Sequence, residues 1–486
     1  MARKSITPFE LSLFMLCGPF YVMLALMVVE ALLGAATTYL VIQAGRDVAD
    51  NQFLVQDLLW ILAAQSASYV VGAVSWIYAE RAGFLAFARY MMRFARDNRT
   101  ETKLLTERDA RERVEPFLTG ETFYVYFHLL YEIEGDLRLL LGLIFNVIVL
   151  GTQIDSSLPV AYAAVFAALF AMQWTMRKKV ASAYLENQRM TNRVTSQGYT
   201  AWDNVFTGNR YNLRLWLAGF KVKLRDSLVA QIKAIMTKEG LSAASAIVGL
   251  AIVFGTMAWI AARNAGNLDV LLALAATLPR QIEMTHNVHS FTSGWNELLA
   301  VWARMGGVAN NMYPDPDPNY DARIKFDRLI LREGDASRTA ATLDQAMGYI
   351  FSQPTGRVNV RGANGSGKST LLTTLKAQVK TRAYYWPTAD RLAFQFNKGL
   401  EPEDIEVADL DGETKKTELV KKPGFSSGER QIRALQEIVQ FTDAPIYLLD
   451  EWDANLDPSN RAAADALIET LARRARVIEI SHRDRV

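Results

Sequence analysis

The chain has 486 residues, of which 50% are hydrophobic and 21% charged, and its formal net charge is +2 at pH 7. Such a small net charge argues against nucleic acid as the main partner. The single cysteine, Cys17, excludes an intramolecular disulfide and a cysteine-ligated metal cluster. The length predicts two or three structural units.

Long apolar runs fill the first three hundred residues. A bilayer core requires about 20 apolar residues in a helix. The charge-free runs are, in chain order, 11–29 and 31–45 with Glu30 between them, 58–79, 139–154, 156–176, 240–262, and 270–279 with an extension toward Trp295. The first is too long for a cleaved signal peptide. We therefore predict an α-helical membrane domain with six transmembrane helices over residues 1–310, surrounded by membrane lipid.

Basic residues predict the orientation of these spans, because lysine and arginine favour the cytoplasmic side. Arg3 and Lys4 precede the first span, arginines are frequent between residues 81 and 99, and Arg177 begins a basic cluster after the fourth span. Both termini are therefore expected in the cytoplasm. The two inside segments, about 80–138 and 177–239, are polar and too long for simple turns.

Several ionisable side chains lie in or beside the apolar spans and should face the bundle interior or water. They are Glu30, Arg280, Glu283, His286 and His289. The last three recur on roughly one helical face. Lining a cavity, binding a metal and forming a solvated helix end all remain open for them.

The segment "NMYPDPDPNYD", residues 311–321, has three prolines in alternation. Proline blocks the continuation of a helix. This segment is predicted to link the membrane domain to a second domain over residues 322–486.

The first candidate binding site of the second domain is a glycine-rich loop. The stretch "VNVRGANGSGKSTLLTTL", residues 358–375, combines a strand-like run, the pattern G-x-x-x-x-G-K-S and a helix-like run. Backbone amides of such a loop bind phosphate oxygens, Lys368 would reach the β- and γ-phosphates, and Ser369 would ligate Mg²⁺. The predicted phosphate-binding residues are Gly362, Ala363, Asn364, Gly365, Ser366, Gly367, Lys368, Ser369 and Thr370.

A second element is "PIYLLDEWD", residues 445–453, in which an apolar run ends in two carboxylates. The run suits a buried parallel strand. Asp450 would hold Mg²⁺ together with Ser369, and Glu451 would orient or deprotonate the attacking water.

Three further motifs follow: "GFSSGERQ" at 424–431, "ANLD" at 454–457 and "VIEISHRD" at 477–484. In this order the set resembles the nucleotide-binding domain of the ABC transporter superfamily, over roughly residues 321–486. An ordinary P-loop kinase or GTPase is the alternative, but neither is expected to carry the SSGE segment and the final histidine. "FSSGE" is similar to the family's LSGGQ signature, with Phe425, Ser426, Ser427, Gly428 and Glu429 in its five places.

The resemblance implies further roles. Ala454 to Asp457 would form the D-loop and His482 the switch histidine, so the implied catalytic residues are Glu451 and His482. ATP and Mg²⁺ are the implied cofactors, with ATP held between the phosphate loop of one chain and Ser426 and Gly428 of a second copy. Cytoplasmic tips near 104–118 and 197–213 would be the coupling helices that touch the nucleotide-binding domain, with ordinary hairpins as the alternative.

The chain also departs from the family pattern. The family's coupling glutamine corresponds either to Thr388 or to Gln395, and the choice stays open. The stretch 388–425 is short for the helical subdomain, and the printed sequence ends four residues after His482, so the α/β P-loop domain reads as a shortened one. Candidates for stacking on adenine are Phe326, Tyr349 and Phe351, each of which could equally be a core aromatic.

The resemblance implies an ATPase coupled to transport. The expected function is ATP-driven export of a peptide or amphipathic small molecule across the bacterial inner membrane by a homodimer. An ATP-gated channel or sensor with slow hydrolysis and peptide uptake by an exporter-like fold are the alternatives. Nothing in the spans fixes the substrate.

Overall fold

A computed structural model describes residues 5–49, 55–387, 392–398, 426–454 and 456–481. The chain divides into two compact units. The unit that we call the sheet unit contains the described parts of Met1–Thr7, Ala88–Thr122 and Val308–Val486. The helical unit contains Pro8–Phe87 and Phe123–Gly307.

The first three hundred residues are almost entirely helical. The helices are α1 Pro8–Ser12, α2 Gly18–Ala49, α3 Val55–Asn98, α4 Arg108–Pro116, α5 Thr122–Gln153, α6 Ser157–Gly198, α7 Ala201–Phe206, α8 Arg210–Arg263 and α9 Leu268–Asn311. A 3₁₀ turn at Thr102–Thr106 precedes α4. Each of the six predicted spans overlaps one long helix of this set.

Among the described residues, four helices are long and apolar enough to cross a membrane, and they lie within α2, α3, α6 and α8. The predicted spans at 139–154 and 270–279 lie in α5 and α9, which are not among these four. Both helices carry ionisable residues along their length. In α5 these include Glu132, Glu134, Asp136 and Arg138, and in α9 they include Arg280 and Glu283.

An apolar cluster joins α2, α5, α6, α8 and α9 inside the helical unit. Its fully buried members include Ile42, Leu150, Val165, Val253 and Val288. These side chains come from one stripe of each helix, which is the pattern expected where helices pack against one another.

In the described residues of the sheet unit, six strands pair in the order β2-β1-β3-β6-β5-β4. They are β1 Leu329–Glu333, β2 Ala336–Arg338, β3 Gly356–Gly362, β4 Ala383–Trp386, β5 Ile446–Asp450 and β6 Arg476–Ile480. The pairs β1–β2 and β1–β3 are antiparallel, whereas β3, β6, β5 and β4 pair in parallel. A mostly parallel sheet requires helical connections on its faces.

Helices cover both faces of this sheet. They are α10 Leu343–Ile350, α11 Lys368–Val379, α12 Gln395–Lys398, α13 Ser427–Phe441 and α14 Pro458–Arg474. Alternate residues of β5 divide between two cores: Leu448 packs with α11, and Tyr447 and Leu449 pack with α13 and α14. Because side chains alternate along a strand, Asp450 falls on the α11 side of the sheet.

A buried ion-pair network holds the centre of the sheet. Arg357 of β3 donates to Glu479 of β6 through Nη2 and Oε2 at 2.7 Å. Trp452 donates to the same oxygen at 2.9 Å. Arg476 pairs with Glu333. Since buried charges need partners, this network fixes the positions of β3 and β6 relative to the turn after β5.

Candidate functional site

The loop from Gly362 to Lys368 connects the carboxyl end of β3 to the first turn of α11. Gly365 and Gly367 have φ values of 76° and 88°, in the left-handed region that favours glycine. A Cβ at Gly367 would also lie 2.6 Å from the carbonyl oxygen of Arg323. Glycine is therefore required at 367 by both the backbone conformation and the available space.

Hydrogen bonds within the sheet unit anchor this loop. The backbone N–H of Lys325 donates to the carbonyl of Ser366 at 3.0 Å, and the backbone N–H of Ser366 donates to the carbonyl of Ala363 at 3.1 Å. The Nζ of Lys368 donates to the carbonyl of Gly362 at 2.9 Å, which brings the ammonium group back over the start of the loop. The first amides of α11 have no acceptors inside the helix, so this end of α11 favours a bound anion.

Asp450, the last residue of β5, faces the beginning of α11. Ser369 Oγ donates to Asp450 Oδ1 at 3.1 Å, and Tyr385 of β4 donates to Oδ2 at 3.3 Å. Burial raises the pKa of Asp450 to about 6, and the neighbouring charge of Glu451 adds to this, whereas the hydrogen bonds from Ser369 and Tyr385 oppose it. Burial also raises the pKa of Tyr385, with a further contribution from Asp450. The structure thus brings together two side chains predicted to hold magnesium.

These donors fit the metal that the sequence predicts. Mg²⁺ prefers oxygen ligands and uses one or two carboxylates together with substrate phosphates and water. The hydroxyl of Ser369 and the carboxylate of Asp450 supply such a donor pair. Within the described residues, no group of three or more His, Cys, Asp or Glu residues could hold a metal ion by itself.

Glu451 follows Asp450 in a conformation that is unusual for its residue type. Its φ is 49°, which is in the left-handed region. For a residue with a Cβ this conformation costs on the order of 1–3 kcal/mol, and such strain is concentrated at functional positions. Its carbonyl accepts the N–H of Ala454 at 3.2 Å, which closes the turn after β5. Glu451 is therefore held directly after the Asp450 carboxylate by a strained turn.

The predicted signature begins α13. Ser426 caps this helix: its Oγ accepts the N–H of Glu429 at 3.3 Å, and its own N–H donates to Glu429 Oε2 at 2.8 Å. The pKa of Glu429 is lowered, because the Ser426 backbone N–H stabilises the carboxylate. Ser427 is exposed and Gly428 buried, while Phe425 lies outside the described residues. The pattern S-x-x-E is itself a capping-box signal, which accounts for Ser426 and Glu429 locally.

Asp457 is also a helix cap. Its Oδ1 accepts the N–H of Asn460 at 2.8 Å, and Pro458 occupies the first position of α14. In the rest of the predicted D-loop, Ala454 is exposed and Leu456 is buried, and Asn455 lies outside the described residues. This geometry gives Asp457 a clear role in starting α14.

Two of the remaining predicted residues lie outside the described part of the chain, namely Thr388 and His482. Gln395 begins α12, where its N–H donates to Glu437 of α13 at 2.8 Å. The choice between Thr388 and Gln395 as coupling residue therefore stays a prediction.

The three adenine candidates are partly buried aromatics packed against the α11-side core. They are Phe326, Tyr349 and Phe351. Tyr349 also lies under the Arg338 guanidinium, 4.6 Å from its ring centroid. This packing agrees with a core role for all three.

Sequence reasoning missed Tyr385 and a polar chain that reaches α11 from residues 102–107. Thr102 Oγ1 donates to the carbonyl of Thr373 at 3.2 Å, and Thr106 and the Tyr320 hydroxyl share a hydrogen bond. Tyr320 OH lies 2.6 Å from Thr373 Oγ1, which bonds back to the carbonyl of Ser369 at 3.1 Å. No local pattern signals these contacts, because each joins segments far apart in the sequence.

Compared with known proteins, the chain matches no protein-family model and no curated protein sequence.

Proposed function

We propose that the chain is an ATP-driven membrane transporter of the ABC exporter type, working as a homodimer. The observation that carries this proposal is the 3.1 Å contact between Ser369 Oγ and Asp450 Oδ1. It joins a glycine loop with left-handed residues to the carboxyl end of a buried parallel strand. Ligands of α/β sheets bind outside the carboxyl ends of such strands.

In this proposal each side chain has one task. The loop amides and Lys368 bind the phosphates of ATP, with the ammonium group leaving the Gly362 carbonyl for the β- and γ-phosphates. Ser369 and Asp450 hold Mg²⁺, which when bound neutralises charge that develops on the transferred phosphoryl group. Glu451 orients the attacking water and accepts its proton. His482, Ser426 and Gly428 are assigned from the family resemblance, the last two acting on the partner copy's nucleotide.

The membrane side of the proposal uses the six long helices. Four of them are long and apolar enough to span a bilayer, and α5 and α9 complete the bundle with their ionisable residues turned from lipid. Residues 102–107 contact α11, the helix that begins with Lys368 and Ser369. A change at the nucleotide would thereby reach the segment between α3 and α5.

We further propose that both termini lie in the cytoplasm of a bacterium and that the cargo is a peptide or amphipathic small molecule moved outward across the inner membrane. The basic segments that follow the second and fourth predicted spans support this orientation. Movement of cargo into inverted vesicles on addition of ATP would distinguish export from uptake.

The test is ATP hydrolysis by the purified chain in lipid nanodiscs. We expect magnesium-dependent turnover in the wild type and a loss of at least about 100-fold in Glu451→Gln, because the amide cannot accept the proton of water. ATP binding should be retained. Glu112→Gln, a change of the same type at an exposed residue of α4, is the matched control and should hydrolyse normally.

Equal turnover in Glu451→Gln and wild type would remove Glu451 from its assigned role. Absence of ATP binding by the folded wild type would overturn the proposed function altogether.

A further inference from the structure

A cavity of about 490 Å³ lies within the helical unit, between α3, α5 and α9. Its wall carries three carboxylates, one guanidinium and two aromatic rings. These are Glu132, Glu134, Asp136, Arg138, Trp76 and Tyr131. The cavity is therefore acidic although the chain as a whole is nearly neutral.

The positive charge in the cavity wall, on Arg138, is already paired with carboxylates. Arg138 forms ion pairs with Glu134 on its own helix and with Glu30 of α2. Glu132 lies 3.2 Å from His128 Nε2. Elsewhere in the helical unit, Lys238 of α8 pairs with Glu297 of α9 at 2.7 Å. None of these contacts supplies a cation to Asp136.

Asp136 stands out within this wall. It is only 8% exposed, and its Oδ2 has no hydrogen-bond partner in the part of the chain that the structure describes. Glu132 and Glu297 add negative charge around it. A buried carboxylate oxygen without a partner is costly, so its presence at the wall of a cavity points to a ligand.

A glycine of α9 makes room for this carboxylate. A Cβ at Gly294 would lie 2.1 Å from Oδ1 of Asp136, so the side chain lies directly against the backbone of α9. The Asp136 carboxylate is thus fixed at the cavity wall between two helices rather than free to turn toward bulk water.

The aromatic residues complete the recognition surface. Trp76 and Tyr131 meet edge to face, with ring centroids 5.6 Å apart. Both also line a neighbouring cavity of about 210 Å³, whose other walls include Tyr124 and Phe127. Aromatic faces attract cations and bury apolar groups at the same time.

We propose that this cavity binds the charged group of a hydrophobic organic cation, such as an ammonium, guanidinium or phosphonium group. Asp136 provides the counter-charge, and Trp76 and Tyr131 contact the apolar body. The volume suits an organic group rather than a bare metal ion, and no metal-binding group is found among the described residues. As the substrate class of the transporter, this inference rests on the proposed function; as a binding site, it is tested separately.

The probe is tetraphenylphosphonium, with tetraphenylborate as the ion of the same shape and opposite charge. Equilibrium dialysis against the full chain in phosphatidylcholine nanodiscs, without nucleotide, gives the binding after subtraction of protein-free discs. We expect saturable binding of the phosphonium and none of the borate. Asp136→Asn should weaken phosphonium binding at least about tenfold, a full decade in Kd. Asp136→Glu should retain most of it.

Asp269→Asn is the matched control, because it removes the same charge from an exposed residue at the start of α9. It should bind the phosphonium as the wild type does. If Asp136→Asn does not fold, Tyr131→Leu is the variant that tests the site, because Tyr131 is 57% exposed and its replacement is compatible with folding. Loss of this ring should weaken phosphonium binding several-fold.

Phosphonium binding that is no greater than in protein-free discs, or that is unchanged in the folded Asp136→Asn or Tyr131→Leu variant, overturns the cavity proposal. ATP hydrolysis is measured on the same discs. Hydrolysis without phosphonium binding overturns the cavity proposal alone. Phosphonium binding through Asp136 in a chain that does not bind ATP supports the cavity and overturns the transporter.

Discussion

The two cytoplasmic tips that the sequence predicts have very different surroundings. At the start of the first tip, predicted near 104–118, Thr102 donates to the carbonyl of Thr373 in α11, and Thr106 bonds the hydroxyl of Tyr320, which is only 1% exposed. In the second tip, around α7, Trp202 and Phe206 are 71% and 70% exposed. Their rings contact each other, with centroids 4.5 Å apart.

The contrast suggests two kinds of contact. The first tip satisfies its polar groups inside the sheet unit of its own chain, whereas the second presents an apolar aromatic pair to solvent. Under the proposed function, we expect the second tip to bind the sheet unit of the other copy, and the following predictions test this division.

The largest effect is expected at the exposed pair. Replacing Trp202 and Phe206 together by serine should weaken dimerisation at least about tenfold, because buried aromatics dominate interface energies. ATP binding by each chain should persist, since the change lies in another unit. Mass photometry of the solubilised protein measures the dimer fraction.

Phe441→Ser provides the control for that experiment, because Phe441 is a 60% exposed aromatic outside both tips. If the double variant dimerises as well as this control does, the second tip has no part in the dimer.

A smaller effect is expected at the first tip. Tyr320→Phe keeps the ring and removes the hydroxyl that joins Thr106 to Thr373. Loss of these two hydrogen bonds should lower the free energy of unfolding of the sheet unit by about 1–3 kcal/mol, because each contributes roughly 0.5–1.5 kcal/mol. It should also reduce the stimulation of ATPase activity by substrate while basal turnover stays near normal. Thermal unfolding and ATPase assays measure the two effects. Unchanged stimulation would show that these hydrogen bonds do not couple substrate binding to ATP hydrolysis.

The smallest effect is expected for Lys103→Ala. Lys103 pairs with Asp321 at 2.8 Å, but Asp321 is about half exposed and also accepts a hydrogen bond from Thr374. Exposed ion pairs contribute roughly 0–1 kcal/mol. Stability and stimulation should change little, and the residual difference should vanish in high salt. A loss as large as that of Tyr320→Phe would contradict the ranking.

Local signals predicted much of the molecule. The strand, glycine loop and helix at 358–375 lie where the pattern places them, and so does the strand that ends at Asp450. These segments are decided by nearby residues: glycines that allow positive φ, and apolar runs that must be buried. Each predicted span likewise overlaps a long helix, although within the described ranges four rather than six helices qualify as candidate spans.

The sequence did not predict the contacts between residues far apart along the chain. The bond from Tyr385 to Asp450 depends on β4 pairing with β5, and the approach of Thr102 to Thr373 joins segments 271 residues apart. The environment of Asp136 depends on helix packing, including the glycine that faces it across from α9. Helical periodicity shows which residues share a face of a helix, but it does not specify which neighbouring helix packs against that face.

The most direct measurement concerns the central claim that two copies share each ATP site. Cysteines replace Asn364, in the exposed part of the loop, and Ser426, the cap of α13, after Cys17→Ser removes the native thiol. The Glu451→Gln background keeps bound ATP intact. We predict that oxidation forms an inter-chain disulfide with ATP and magnesium present and little without nucleotide. If ATP is demonstrably bound and the gel shows only monomers, the shared site is wrong.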